Sequence, residues 1–228
     1  MSRHVPVSPP LSSDGVPDLT EAQARRARKE EGAIDVSSLP DFAFGSRSPM
    51  WWGTMGFIVI EGLTLVIIAF GLLYLRRNYS EWPPPRTPMP NLEIGTASLV
   101  VLLLSIIPAV MAYRASHRED LVALRRALIL SSVFALAITV MRALELANLN
   151  TRWDEHAYGS LVWAIVFLHG TLLLVDVIEG WVETYFLYRG PLQRKHYSDF
   201  ADASIYWIYS VIAWIPLYVL IYLYPRWS

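Results

Sequence analysis

Cysteine is absent from the chain. That excludes disulfides, thiolate zinc sites, iron–sulfur clusters and covalently attached c-type haem on these 228 residues. Histidine is sparse and scattered, at His4, His117, His156, His169 and His196. A haem or copper centre within a membrane needs imidazoles or thiolates that converge. Only His169 falls deep inside an apolar run, so no cofactor-binding or redox-metal site is expected on this chain. The net charge is −1 and there is no basic stripe, so phosphate backbones find nothing to grip and nucleic acid is not an expected partner. Gly-rich phosphate loops, zincin motifs and serine-elbow motifs are missing as well, and no catalytic residue set is read. No apolar stretch follows the first charges, as a secretory signal would require, and no N-terminal lipidation motif is seen.

What the chain does have is apolar residues, 54% of the total, arriving in long blocks. The class is therefore all-α, an integral membrane bundle of five transmembrane helices. The blocks run over Met50–Leu75, Glu93–Tyr113, Leu121–Leu146, Tyr158–Glu179 (continuing toward Tyr188) and Ala203–Tyr224. Arg76-Arg77 stops the first, Pro83-Pro84-Pro85 stiffens the loop after it, and Pro216 is expected to kink the last as its only break. Trp51, Trp52, Trp82, Trp153, Trp181 and Trp227 fall at predicted helix ends, where an interfacial belt places them.

Two domains follow. Residues 1–49 form a polar arm of nearly balanced charge, solvated or lying on a partner; Thr20 and Gln23 could cap a short helix there, with Gly32 as its stop. Residues 50–228 form the transmembrane domain. Arg47, Arg114, Arg118, Arg125, Arg126, Arg189, Arg194 and Lys195 fall on one side, and Arg76, Arg77, Arg86, Arg152 and Arg226 on the other. The excess places the arm in the cytoplasm and the C-terminus outside. A bacterial inner membrane is the expected location.

The first apolar run, Gly53 to Leu75, spans roughly 34 Å, enough for a bilayer core of about 30 Å. It carries one ionisable residue, Glu61, near its middle. A carboxylate there costs about 2.5–3.5 kcal/mol on insertion scales, so protonation, a buried partner or water must offset it. Two readings stand: a functional or subunit-specific carboxylate, and a hydrogen-bonded packing residue. Arg142 and Glu145 lie three apart on one helix face and can form an ion pair near the outer interface; a partner contact or proton route is the other reading. His169 reads as a hydrogen-bonded packing residue. Asp176, one heptad later, and Glu179 are expected at the interface, where hydration makes them cheap.

These residues resemble a known family. Trp51-Trp52-Gly53-Thr54-Met55-Gly56 leading to Glu61 resembles the third helix of cytochrome c oxidase subunit III, which opens W-W-G-M and carries a mid-membrane Glu. Pro83–Pro90 followed by Thr96–Ser105, then Ala112–Arg126, then Glu145, then Tyr158-Gly159-Ser160 match further family features in order. His169-Gly170 matches half of H-G-x-H, and Tyr206-Trp207 with Trp214 matches Y-W-H-F-x-D-x-x-W in part. The chain departs from the pattern at Leu172, Ile208 and Val211, and at Arg142 and Asp176, where the family often has Gln and Gly.

The resemblance implies a divergent five-helix form of the haem–copper oxidase subunit III family, lacking the family's first two helices. It implies a non-redox accessory subunit packed on the catalytic subunit I, which holds the haems and copper, reduces O2 and pumps protons. It further implies bound phospholipid and a role in proton uptake, with Glu61 as the characteristic carboxylate and Glu145 and His169 as weaker matches. Two alternatives stay open: a related small subunit associated with nitric oxide reductase, and a proton-coupled carrier using Glu61, His169 and Asp176.

Overall fold

The computed structural model describes residues 44–189 and 194–227. Among these residues all regular structure is helical. Helix α1 is Pro49–Arg76, α2 Leu92–Leu104, α3 Ile106–His117, α4 Leu121–Ala147, α5 Ala157–Arg189 and α6 Arg194–Tyr218. A π-helical stretch, Val219–Leu223, and a last turn, α7 Tyr224–Trp227, follow. With α2 and α3 joined, and α6 carried through to α7, five helices are long and apolar enough to cross a membrane. Residues 1–43 of the arm, including Thr20, Gln23 and Gly32, lie outside the described residues.

Local chemistry explains the ends. Pro49 opens α1 at a position whose N–H needs no partner. The side chain of Asn91 accepts from the N–H groups of Glu93 and Ile94, and that of Asp120 from Val122 and Ala123, capping α2 and α4. Each such cap contributes about 1 kcal/mol.

The second span differs from the sequence expectation. It is broken at Ser105 and continues past Tyr113 to His117. Pro108 has no N–H to give the carbonyl of Leu104. The Ser105 N–H reaches back to Val101 and Leu102 at 3.1 and 3.2 Å, and its hydroxyl donates to the Leu102 carbonyl at 2.6 Å. Pro216 is thus not the only break. The fifth span starts at Arg194 rather than Ala203, because its first turns keep a helical polar face toward the bundle. Beyond Pro216 the ladder loosens to i→i−5 bonds over Val219–Leu223.

Helix α6 is central: it packs on α3, α1, α5 and α2, while α4 packs on α3, α5 and α2. Helix α1 is peripheral. It buries only Glu61, Leu65 and Leu72, and Phe57, Ile60, Ile67, Phe70 and Tyr74 are exposed. Of the tryptophans expected in the interfacial belt, Trp82 is instead buried, edge-on against Tyr158 at 4.9 Å. Trp52, Trp153, Trp181 and Trp227 are exposed.

Candidate functional sites in the membrane interior

Glu61 sits on the inner face of α1, 6% exposed, and points at α6. The Tyr206 hydroxyl donates to its Oε2 at 2.5 Å, while Oε1 has no hydrogen-bond partner in the structure. Helices α1 and α6 come close here because Gly62 has no side chain: a Cβ would stand 2.8 Å from the Tyr209 hydroxyl. The partner that offsets the desolvation of Glu61 is therefore a neutral phenol, and it satisfies one oxygen of two. An unmatched buried acceptor costs about 1–3 kcal/mol.

Beside this pair lies a cavity of about 330 Å³, walled by all five spans. Its lining is mostly apolar, but carboxylates enter it from two helices. On α5 they are Asp176, Glu179 and Glu183; on α6, Asp199 and Asp202, with Tyr206 one turn on. Each set follows i, i+3, i+7 spacing, so each forms one stripe along its helix. Asp176 is within 3.5 Å of the Ser210 hydroxyl. Asp202 is buried, and its Oδ2 has no partner. Asp176 therefore sits at a cavity wall rather than simply at an interface.

A second polar cluster lies toward the other end of the bundle. Arg142 Nη1 meets Glu145 Oε2 at 2.8 Å, with both side chains buried. The same oxygen accepts from Ser98 at 2.9 Å, and Oε1 accepts from Tyr222 at 2.7 Å. Gly95 makes the last contact possible, since a Cβ there would stand 2.5 Å from the Tyr222 ring. The Arg142 guanidinium lies 4.1 Å over the Trp214 ring, a desolvated cation–π contact. His169 also stacks on Trp214, with ring centroids 4.6 Å apart.

Hydrogen bonding fixes the state of His169. Its Nε2 faces the Ser210 carbonyl at 3.0 Å, which can only accept, and its Nδ1 faces Arg142 Nη2 at 3.3 Å, which can only donate. The imidazole thus carries its proton on Nε2. Neither ring nitrogen is left for a metal.

Glu61, Arg142, Glu145 and His169 stand out in the sequence, but the residues that complete their surroundings do not. Tyr206 and Trp214 stood in the family motif without an assigned contact. Ser98, Tyr222, Asp199, Asp202 and Glu183 were not singled out. The acidic stripe on α6 was readable as Asp199-x-x-Asp202-x-x-x-Tyr206, but it straddled the predicted start of the helix at Ala203.

Comparison with known proteins bears directly on this helix plan. The family model described as cytochrome c oxidase subunit III matches residues 40–226, which takes in all five spans. The chain belongs to the cytochrome c oxidase subunit III family. Similar proteins include cytochrome c oxidase subunit 3 of Cyanidium caldarium, 28% identical over 185 residues, covering 76% of this chain and 66% of that protein. The subunits of Pisaster ochraceus and Rhizopus stolonifer are 25% and 26% identical, covering 62% and 63% of this chain and 55% and 51% of theirs. The chain thus spans less than two thirds of the length of these relatives.

Family membership together with the five spans makes this an integral membrane protein. Two family departures take on structural meaning. Val211, where the family motif has Asp, is fully buried, and Arg142 occupies the heart of the Glu145 cluster.

Proposed function

We propose that this family member is the non-redox subunit III of a haem–copper terminal oxidase. It packs on the catalytic subunit that carries the haems and copper, reduces O2 and pumps protons; it holds phospholipid between its helices and supports proton uptake. The observation that carries this reading is the family match from residue 40 to residue 226. The chemistry of the chain supports leaving redox centres to a partner: there is no Cys, and His169 has both ring nitrogens engaged. Glu61 is the residue proposed to matter to proton uptake, with Glu145 and His169 holding the bundle around it. The Lys and Arg excess supports a cytoplasmic N-terminal arm, and the bacterial inner membrane is the setting proposed.

Among the grounds that weigh against the carrier reading, which the sequence leaves open, is that Pro216 looks like the only break. The interruption at Ser105 removes that argument, and the family match takes its place.

The test is purification of the complex through a tag on this chain, followed by an absorbance spectrum and haem and copper analysis. Haem and copper should co-purify with it and be absent from the chain expressed alone. Recovery of the chain from its own membrane with no haem-bearing companion would overturn the reading. A companion carrying haem but no copper would point to the nitric oxide reductase relative instead.

A further inference from the structure

The geometry points to the cavity as a hydrated, cation-selecting inlet that runs from the end of the bundle where α1 begins to within a turn of Glu61. Three observations carry this.

The first is the arrangement of acids. Helix α5 ends, and α6 begins, at the same end of the bundle as the start of α1, because five spans alternate in direction. Glu183 and Asp199 therefore stand near the mouth, Glu179 and Asp202 deeper, and Asp176 and Tyr206 deepest, in two facing stripes. Tyr206 then hands on to Glu61 through its hydroxyl.

The second is unmet hydrogen bonding. Asp202 is only 5% exposed yet lines the cavity with a partnerless Oδ2, and Glu61, hydrogen-bonded to the lining residue Tyr206, keeps a partnerless Oε1. Buried acceptors of this kind require donors that the protein does not supply, and water or hydronium supplies them. A cavity of about 330 Å³ has room for several waters.

The third is spacing. Among the described residues, no group of three acidic or imidazole side chains converges closely enough to hold a metal ion. The carboxylates are strung along a path instead, which suits a mobile proton or monovalent cation rather than a fixed divalent one. His117, at the end of α3, is the titratable base set near Asp202. A cleft lined by one sign of charge between low-dielectric walls raises the local counter-ion concentration about tenfold or more.

The inference rests on the proposed function only for the side it opens to: if the arm is cytoplasmic, the inlet faces the side from which protons are taken up. Its test does not depend on oxidase activity. The chain has no native Cys, so a single substituted Cys gives a clean signal on it. Phe57 lines the open side of the cavity on α1, one turn before Glu61, whereas Ile60, as exposed on the same helix, does not line it. In membranes holding the whole complex, Phe57→Cys and Ile60→Cys would be treated with cationic and anionic methanethiosulfonates, and labelling of this chain read by mass.

Phe57→Cys should react with the cationic reagent about tenfold faster than with the anionic one, and Ile60→Cys should react with neither. Adding Asp202→Asn or Glu183→Gln should reduce the preference several-fold. Glu179→Gln, at an exposed position, repeats that test without disturbing a buried group. If Phe57→Cys reacts no faster than Ile60→Cys, the cavity is filled by lipid or is dry, and the inlet is disproved. Equal rates with both reagents, or a preference untouched by all three neutralisations, would equally overturn it.

Discussion

Glu145 and Glu61 are both carboxylates buried in the same apolar bundle, but their surroundings are opposite. Glu145 has a guanidinium, a phenol and a serine hydroxyl on its two oxygens. Glu61 has one phenol on one oxygen, and a cavity lined with further acids next to that phenol. The first arrangement is closed and charge-compensated, which is what a fixed structural knot requires. The second leaves acceptors open beside a space that water can enter. Depth in the membrane does not by itself mark a functional acid; the number of partners left over is more telling.

Opening the closed knot should have the largest effect. Arg142→Ala leaves Glu145 as an uncompensated buried charge, and a loss of about 3–5 kcal/mol is expected. Thermal denaturation of the purified complex in detergent would measure it. Arg142→Gln keeps a donor and should cost less. A loss under about 1 kcal/mol for Arg142→Ala would mean that water already reaches Glu145 and that the two sites are alike.

Next in size is Tyr222→Phe, which removes one charge-assisted hydrogen bond from Glu145 and should cost about 1.5–3 kcal/mol. Tyr206→Phe removes the corresponding bond from Glu61. It should cost about 1 kcal/mol or less, because a cavity water can replace the phenol at little penalty. Equal costs for the two phenylalanine variants would contradict the distinction between a dry knot and a wet inlet.

The smallest effect is expected outside the membrane. Arg152 hydrogen-bonds Asp154 at 2.8 Å and holds its carboxyl below the usual carboxylate range, but both are on the surface. A carboxyl lowered in the folded state adds stability above its unfolded value and loses it as pH falls through the folded one. Exposure and salt screening reduce that contribution. Asp154→Asn should leave the melting curve unchanged at neutral pH and in acid alike, and a clear acid-dependent shift would show the pair to be stronger than its exposure implies.

Much of this architecture was legible in the sequence. The five apolar blocks gave the five spans, because a bilayer imposes a length that few other environments demand. Glu61 stood out as the lone charge in the first block. The Arg142–Glu145 spacing gave a shared face, and the contact is there at 2.8 Å. What was not legible came from contacts between distant segments. Ser98, Tyr222 and Trp214 reach the knot from two other spans, and helical periodicity within one span carries no information about them. The early start of α6 was hidden because its first turns are polar, and apolar patterning alone ends a span where charge begins. Those polar turns face a cavity rather than bulk solvent, which only the packing of α5 on α6 reveals. Trp82 was misplaced for a related reason: its position at a helix end suits a belt residue, but its ring turns inward onto Tyr158.

Under the proposed function Glu61 takes part in the working of an oxidase complex and does not merely pack. The most direct measurement is oxygen consumption by the Glu61→Gln complex through many turnovers. An intact assembly with a near-normal initial rate, followed by a faster decline than in the unmodified complex, is the predicted result. A rate that stays level with the unmodified complex throughout would contradict it.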